Sequence, residues 1–426
     1  MTPRIRGCGF RVAVPALRPV LLLVLVCAAG GPIRAQNAQP AGPRLAAEAA
    51  VSVDVGTGEI IYCLDMDRRL YPASITKVLT AMLLEENREP ADRLSYSALA
   101  KAAHPYALDL PVNDTLSAAA CMDALLLYSA NDVAVMIAEN VSGSVAEFAA
   151  AMNERSRSVG MAQSRFSNPN GLHQEDHYTT AYDLSRLGRA LRRYPWVLET
   201  MGKSGARIES GSGRVFAFEN RNKLTGVNGC AAGKTGYTDQ AGRCLLALYR
   251  REGRQILGVL LRSVYDRDDT VVFRDMEELM RWSYAAEREL VHAAGEPAVR
   301  RTVDVRLLPL VGPTRTLQVP LTTSRDVLVY RNEEEKRIRV DLPEIDPWKL
   351  DPEKPVGRLI VEGRDSRTAY ELYPTVSWKS ILGRCKGFYI PSAAGLLLLA
   401  AGIGSLALWR RSASRRSEVP HRRRPT

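Results

Sequence analysis

The sequence predicts an α+β fold, followed by a small all-β module and a C-terminal transmembrane helix. Three observations support this prediction. Strand-like segments lie at both ends of residues 45–292, and segments of helical periodicity lie between them. Residues 296–378 contain short strand-like runs separated by prolines. Residues 388–409 form an apolar run without a charged residue.

The first 35 residues have the pattern of a secretory signal peptide. Arginines precede a short apolar run at residues 20–29, and small residues follow up to residue 35. The apolar run is too short for a helix that spans a bilayer. We therefore expect the following residues to be exported.

The elements of residues 45–292 are predicted in chain order from their periodicity. Residues 49–65 alternate around a Gly-Thr-Gly turn and predict a β-hairpin. The segment SITKVLTAMLLEE, which follows Pro72, carries its apolar residues on one helical stripe. Further helices are predicted within residues 118–141, 144–160, 179–195 and 273–290, and strands within residues 213–224, 229–245 and 255–264.

The all-β module is predicted between residues 296 and 378. Its strand-like runs are residues 301–311, 316–323, 326–332, 337–342 and 357–362. It lies between the α+β part and the predicted membrane span.

The predicted span has 22 residues, enough to cross about 30 Å of hydrocarbon at 1.5 Å per residue. Aromatic residues lie at both of its edges, as interface anchors do. The tail at residues 410–426 has seven arginines and one glutamate, which places it in the cytoplasm by the positive-inside rule. We expect a single-pass protein of the cell membrane whose preceding residues lie on the extracytoplasmic side.

The net charge of +11 is located at the two ends of the chain. Residues 1–35 carry five arginines and no acid, and residues 410–426 carry a net charge of +6, so residues 36–409 sum to zero. The basic ends serve targeting and topology. A nucleic-acid-binding function is therefore excluded as an explanation of the high pI.

The seven cysteines show neither a CxxC pair nor the spacing of a zinc finger. We predict no metal and no other cofactor. Two cysteines flank the strand that holds Lys234, and the turn signal YTDQAG centres the hairpin near Asp239. That register sets Cys244 opposite Lys234 and Cys230 opposite Leu248, too far apart for a disulfide. We therefore predict free thiols.

The first of three short motifs is SITK at residues 74–77, at the start of a predicted helix. The spacing places Ser74 and Lys77 on one helical face, about one turn apart. A serine hydroxyl becomes a nucleophile when a neighbouring base takes its proton, and a lysine whose ammonium is destabilised can be that base. The same spacing is common on ordinary helix surfaces, so this motif alone does not define a site.

The second motif is SAN at residues 129–131, between two apolar helical stretches. Its polar residues either cap a helix break or face a cleft, and the motif alone does not decide between these. The third motif is KTG at residues 234–236, where the glycine allows a backbone or a ligand to approach closely.

In this order and at these distances, the three motifs are typical of class A β-lactamases and penicillin-binding proteins. The chain resembles the serine-type D-alanyl-D-alanine carboxypeptidases, the low-molecular-mass penicillin-binding proteins. The stretches YPASITKVLTAM, SNPNGLHQEDHYTTAYDLSRLGRA and GKTGYTDQAGRCL carry the resemblance, which covers about residues 45–290. It implies a β-lactamase/penicillin-binding-protein-like transpeptidase fold, and a β-rich domain and a C-terminal membrane anchor are also typical of this family.

The resemblance implies an activity: removal of the terminal D-alanine from peptidoglycan stem pentapeptides through an acyl-enzyme that β-lactams also form. Ser74 would be the acylated nucleophile and Lys77 the base that activates it. Ser129 would relay a proton towards the leaving D-alanine. Lys234 would lie beside Ser129 and Lys77, and its charge would favour the neutral form of Lys77.

The resemblance also implies the residues that bind substrate. Asn131 would hold the amide carbonyl of the substrate, and Thr235 would meet its terminal carboxylate. Gly236 would allow the close approach. The oxyanion would lie between the backbone N–H groups of Ser74 and Tyr237.

One position departs from the family. An arginine that helps to bind the carboxylate often precedes a phenylalanine at the start of the last helix, and alignment on Phe273 puts Val272 there. Arg274 or Arg262 is left as a substitute, and the sequence does not decide between them.

Four alternatives remain beside the carboxypeptidase. A DD-endopeptidase would use the same residues. A class A β-lactamase has a glutamate in an E-x-x-L-N loop, which this chain lacks, so hydrolysis of the penicilloyl-enzyme should be slow. A zinc peptidase is suggested by HQEDH at residues 173–177, but Pro169 and Gly171 predict a loop there. The last is a catalytically silent scaffold that binds the cell wall, which labelled penicillin would distinguish from an active serine.

Overall fold

A computed structural model of the chain describes residues 42–307, 313–330, 332 and 336–416. The predicted signal peptide and residues 417–426 of the predicted tail lie outside the described residues. Contacts group the described residues from Pro43 onward into one compact unit. The boundaries between the predicted domains therefore stay predictions.

The structure contains helices and strands in mixed order. The strands are β1 Ala49–Asp54, β2 Ile60–Leu64, β3 Arg93–Ser95, β4 Thr115–Ser117, β5 Gly205–Glu209, β6 Val215–Glu219, β7 Cys230–Thr238, β8 Gly242–Arg251, β9 Arg254–Ser263, β10 Arg288–His292, β11 Pro297–Arg306, β12 Thr314–Thr323, β13 Val327–Tyr330, β14 Arg337–Asp341, β15 Gly357–Glu362 and β16 Arg367–Pro374. The α-helices are α1 Thr76–Asn87, α2 Ala98–Lys101, α3 Ala118–Asp123, α4 Asn131–Ser142, α5 Val145–Ser158, α6 Ala181–Ala190, α7 Pro195–Met201, α8 Val271–Ala285, α9 Trp378–Arg384 and α10 Lys386–Arg416.

A five-stranded antiparallel sheet of order β2-β1-β9-β8-β7 forms the centre of the α+β part. Its strands alternate between two buried faces, as period-2 side chains require. Leu246 and Leu248 of β8 join the core with α1, α3 and α4, whereas Leu245 and Ala247 join the core with α8. Strand β7, which carries the KTG motif, is an edge strand of this sheet. This edge lies against the helices.

The predicted hairpin at residues 49–65 and the helices after Pro72, within 144–160 and within 179–195 are confirmed. The helix predicted at 273–290 ends at Ala285, and residues from Arg288 form strand β10 instead. Strand β10 pairs with β13, so a tertiary contact overrides the local helical pattern there.

The register of the β7–β8 hairpin differs from the prediction. Cys244 lies opposite Gly236 and not opposite Lys234, and Cys230 lies opposite Tyr249 and not opposite Leu248. The turn at residues 239–241 is centred on Gln240 and not near Asp239, which shifts the register of the hairpin. The cysteines are then six positions apart along the ladder, about 20 Å, and both are free thiols in the structure.

A second antiparallel sheet of order β11-β12-β16-β15-β14 occupies residues 297–374. Strand β16 and helix α9 were not predicted from the sequence. Helix α10 follows and contains a segment, Lys386–Ser412, that is long and apolar enough to cross a membrane. Tyr389 in its first turns donates a hydrogen bond to the carbonyl of Leu307, next to the core of this sheet.

Candidate active site

Ser74 and Lys77 form a hydrogen-bonded pair at the start of α1. Ser74 lies in a 3₁₀ turn, Ala73–Ile75, that leads directly into the helix. The Nζ atom of Lys77 is 2.9 Å from the Oγ atom of Ser74. Ser74 is half-buried, whereas Lys77 is fully buried. The one-turn spacing predicted from the sequence thus brings the hydroxyl of Ser74 and the amine of Lys77 into direct contact.

Lys77 has three hydrogen-bond acceptors, one for each donor of an ammonium group. Besides Ser74, they are Oδ1 of Asn131 at 2.7 Å and the carbonyl oxygen of Asn170 at 2.6 Å. Burial, followed by the charges of Lys234 and Arg221, holds the pKa of Lys77 well below its usual value. When neutral, Lys77 can donate to the two fixed oxygens, and its lone pair then points to the hydroxyl of Ser74.

The SAN motif lies at a break between helices. A single π-helical turn at Ala124–Tyr128 ends in Ser129, whose φ of 70° is left-handed, and α4 begins at Asn131. The N-cap residue of α4 is Ala130, which makes no side-chain cap hydrogen bond, so the polar side chains of the motif face the site and do not cap the break. Ser129 accepts a hydrogen bond from Lys234, and Asn131 accepts one from Lys77.

Lys234 extends from β7 to the SAN motif and is almost fully buried. Its Nζ atom is 3.1 Å from Oγ of Ser129 and 3.1 Å from the carbonyl oxygen of Thr235. Burial, with a smaller effect from the charge of Arg221, lowers the pKa of Lys234 to about 7. The two motif lysines are thus both deprived of solvent, and each contacts one of the two motif serines.

The backbone of β7 packs closely against the turn that holds Ser74. A Cβ atom on Gly236 would lie 2.9 Å from the carbonyl oxygen of Pro72 and 3.0 Å from the nitrogen of Ser74. Only a glycine permits this approach without a shift. Tyr237 follows directly and lines the same cleft as Ser74, so both residues expected to provide the oxyanion donors border one space.

The cleft has a volume of about 310 Å³. Its walls come from the 3₁₀ turn, the loop after α2, the SAN break, the loop at residues 170–173 and the β7–β8 turn. They comprise Ser74, Pro105, Tyr106, Asn131, Asn170, Gly171, Leu172, His173, Tyr237, Thr238, Asp239 and Gln240.

The loop before α6 supplies site residues that were not assigned from the sequence. The Asn170 carbonyl is the third acceptor of Lys77, and Pro169 accepts a hydrogen bond from Thr80 of α1. A Cβ atom on Gly171 would lie 1.9 Å from the carbonyl oxygen of Ala73, so the loop rests directly on the nucleophile turn. The stretch SNPNGL is part of the resemblance to the family, but the backbone contacts that this loop makes cannot be inferred from its residue types.

The HQEDH histidines have separate structural contacts. The ring of His177 binds Oγ1 of Thr76 at 2.8 Å through Nε2, and Nδ1 accepts from the backbone of Ser167 at 3.1 Å. Burial lowers the pKa of His177 to about 4, so the ring is neutral and its Nε2–H donates to Thr76. His173 packs edge-on against Tyr71 instead. Both ring nitrogens of His177 are therefore occupied by the protein.

The sequence offered Arg262 and Arg274 as possible ligands of the substrate carboxylate, and both lie away from the motif serines and lysines. Arg262 pairs with Glu48 at 3.0 Å, and Arg274 is exposed on the first turn of α8. Val272 is buried in the core beneath α8. Arg221, in the loop between β6 and β7, is the arginine whose charge acts on both Lys77 and Lys234.

A sequence model of the D-alanyl-D-alanine carboxypeptidase family matches residues 35–264. Among curated relatives, D-alanyl-D-alanine carboxypeptidase DacF of Bacillus subtilis is 29% identical over 223 residues, which is 50% of this chain and 57% of that protein. A D-alanyl-D-alanine endopeptidase of Pseudomonas aeruginosa is 27% identical over 60% of this chain and 83% of its own length. Relatives with both names therefore match this chain.

Among solved structures, D-alanyl-D-alanine carboxypeptidase DacD of Francisella tularensis aligns with a TM-score of 0.58. It covers 79% of this chain and 95% of that chain at 20% identity, a likeness that concerns the fold alone. Penicillin-binding protein D2 of Listeria monocytogenes, in its ampicillin-bound form, aligns with a TM-score of 0.50 at 29% identity. It covers 56% of this chain and 98% of that chain.

Proposed function

The chain belongs to the D-alanyl-D-alanine carboxypeptidase family of serine peptidases, and from this premise we propose that it removes the terminal D-alanine from peptidoglycan stem pentapeptides. The observation that supports the proposal is the network of two serines and two lysines. It joins Ser74 to Lys77 at 2.9 Å and Ser129 to Lys234 at 3.1 Å. Asn131, two residues after Ser129, accepts a hydrogen bond from Lys77 and so brings the SAN motif to the first pair.

Acylation begins at the first pair. Neutral Lys77 takes the proton of Ser74, and Oγ forms a bond to the carbonyl carbon of the penultimate D-alanine. The negative charge on the carbonyl oxygen is stabilised by the backbone N–H groups of Ser74 and Tyr237. Because the oxygens of Asn131 and Asn170 hold Lys77 in place, the base needs no reorganisation before it accepts the proton.

The second pair serves the leaving group. As the C–N bond breaks, the amine of the terminal D-alanine receives a proton from Ser129, which is replenished from Lys234 at 3.1 Å. The products are free D-alanine and an ester of Ser74. Water then hydrolyses the ester and releases the shortened peptide. Penicillin follows the same first step when its lactam C–N bond opens.

The same proposal places the cleft on the extracytoplasmic side of the membrane, where peptidoglycan is found. The apolar segment of α10 would anchor the chain, and the arginines after it would stay in the cytoplasm. Endopeptidase action is the second candidate, since relatives named as endopeptidases match this chain.

The test is labelling with fluorescent penicillin, combined with product analysis on purified muropeptides. We expect Ser74→Ala to abolish both labelling and D-alanine release, and Lys77→Ala to reduce them by a factor of about 10³ or more. Release of D-alanine from monomeric pentapeptides supports carboxypeptidase action, whereas cleavage of cross-linked dimers alone supports endopeptidase action. A Ser74→Ala protein that is still labelled would refute the assignment of the nucleophile.

A further inference from the structure

The expected contacts of strand β7 fix the direction in which the substrate lies. Thr235 would meet the terminal carboxylate, and the backbone N–H of Tyr237 would hold the carbonyl oxygen of the penultimate D-alanine. The peptide therefore runs antiparallel to β7, and the residue that precedes the two D-alanines lies beyond Tyr237. At about 3.3 Å per residue, that residue comes beside Thr238 and Asp239.

Asp239 is the only acidic residue among those that line the cleft in the described part of the chain. It is exposed and lies in the turn between β7 and β8. Its Oδ1 atom accepts a hydrogen bond from the hydroxyl of Tyr237 at 2.9 Å, which orients the carboxylate. Asp239 forms no ion pair with any residue that the structure describes. A carboxylate with further lone pairs is thus presented at this end of the cleft.

The aromatic residues beside Asp239 form an apolar wall. The rings of Tyr237 and Tyr265 lie 4.7 Å apart, and Tyr265 is 52% exposed. Arg243 stacks on both rings, 5.1 Å and 4.9 Å from their centres, and its guanidinium pairs with Asp269 and not with Asp239. An aliphatic chain that ends in an amine fits this arrangement, because its methylene groups pack on a ring while its ammonium meets a carboxylate.

We infer that Asp239 binds the side-chain ammonium of the diamino acid that precedes the two D-alanines. The inference rests on the proposed function and concerns a part of the substrate that the three motifs do not contact. The hydrogen bond from Tyr237 holds the carboxylate before substrate arrives, so less side-chain entropy is lost on binding. An amine that is acylated in a cross-link carries no charge, so Asp239 favours stem peptides whose amine is still free.

The experiment compares two substrates that differ in this amine. The full chain in detergent is given Nα-acetyl-L-Lys-D-Ala-D-Ala and its Nε-acetylated form, and release of D-alanine is measured. The decisive quantity is the ratio of kcat/KM for the free amine to kcat/KM for the acetylated peptide. We expect Asp239→Asn, which removes the charge and keeps the shape, to lower this ratio about fivefold. The loss should be confined to the peptide with the free amine.

Asp268 provides the matched control. It is an exposed aspartate in the loop that carries Tyr265, but it does not line the cleft. Asp268→Asn removes the same charge and should leave the ratio unchanged. A second measurement needs no variant: the wild-type ratio should fall as NaCl is raised from about 0.05 M to 0.5 M, because salt screens an exposed ion pair. Equal losses for both peptides in Asp239→Asn, or a wild-type ratio that is independent of salt, would overturn the inference.

The same peptides separate this inference from the proposed function. If D-alanine is released from both with a ratio that Asp239→Asn does not change, the carboxypeptidase proposal stands and the role of Asp239 is refuted. If wild type releases no D-alanine from either, the carboxypeptidase proposal fails. The two peptides are then compared as competitors of fluorescent penicillin at Ser74. The free amine must protect wild type at about fivefold lower concentration than the acetylated peptide, and Asp239→Asn must remove this advantage. Equal protection of wild type by both peptides would refute the role of Asp239 by itself.

Discussion

At the scale of single residues, the site depends on lysines held where a charge is unfavourable. Lys77 and Lys234 are both buried and both close to Arg221. Desolvation and like charge act in the same direction, so both lysines are more easily neutral than a lysine in water. Burial of these two lysines therefore lowers the stability of the fold, and under the proposed mechanism it provides a base near neutral pH.

The substitution Lys234→Met tests how much the burial of this lysine lowers the free energy of unfolding. The folded-state pKa of Lys234, about 7, lies below its ordinary value of 10.5, so the unfolded chain binds more protons between these pH values. Stability due to this residue rises with pH across that window, and the penalty is complete below pH 7. We expect Lys234→Met to stabilise the protein by about 1–4 kcal/mol at pH 6 and by less at pH 9, while penicillin labelling is lost.

Thermal unfolding of wild type and variant at the two pH values measures the effect. The increase in Tm should be larger at pH 6 than at pH 9. An equal change at both pH values would show that Lys234 binds the same number of protons in the folded and the unfolded chain over this range, and so that burial does not lower its pKa.

The candidate side chains of the site could be chosen from the sequence, because the residue types in each of the three motifs indicate the chemistry that they can perform. The structure brings Ser74 beside Lys77 and Ser129 beside Lys234, and the roles of these four residues stay proposals. Asn170 could not be predicted, because its contribution is a backbone carbonyl. Arg221 could not be predicted either, since its proximity to both lysines arises from tertiary packing.

At the scale of elements, the site is assembled where three segments meet without intervening side chains. The 3₁₀ turn before α1 contacts β7 through Gly236 and the loop before α6 through Gly171. Gly171 has a φ of 83°, so it needs a left-handed backbone as well as the missing Cβ. The loop can therefore present the Asn170 carbonyl to Lys77 only with glycine at residue 171.

Gly171→Ala should separate the loop from the nucleophile turn. The Cβ atom would lie 1.9 Å from the carbonyl oxygen of Ala73, and we expect a loss of about 3 kcal/mol in stability. Acylation by penicillin should fall by a factor of about 10². Gly213→Ala is the control, because Gly213 has a φ of 78° but no atom within 4 Å of a Cβ. If both variants acylate at the wild-type rate, the loop does not hold Lys77.

Other elements show why prediction from local pattern was incomplete. Helical and strand periodicity predicted the central hairpin and most helices, because one face of each is buried. The π-helical turn before Ser129 interrupts a helical pattern, and the β7–β8 turn is centred one residue later than its turn signal indicates. Neither change is visible in the composition of these segments. Strand β10 was predicted as helix, since only its pairing with β13 makes it extended.

At the scale of the whole molecule, the second sheet contacts the α+β part through the tip of its β15–β16 hairpin. Asp365 accepts hydrogen bonds from Arg186 of α6, and Arg364 pairs with Asp67 at 2.7 Å. The other end of β16 leads into α9 and α10. With eight residues, β16 spans about 25 Å, so the sheet separates the catalytic part from the start of the apolar helix.

The position of the second sheet before helix α10 predicts the residue at which a soluble form of the protein should end. We expect a chain that ends at residue 387 to leave the membrane and to be labelled by penicillin, because the apolar segment is then removed. A chain that ends at Ser392 retains Phe388 and Tyr389, which pack on the core of the second sheet. It should be more stable by about 1–3 kcal/mol, measured by thermal unfolding of both forms.

The intact chain is expected to cross the cell membrane with a defined orientation. The arginines after α10 favour a cytoplasmic tail, so protease added outside should reach the residues before the span. We expect digestion at exposed loops between residues 45 and 380, while a tag after residue 426 stays protected until the membrane is opened. Protection of residues 45–380 with digestion of the tag would reverse the orientation and would separate the cleft from peptidoglycan.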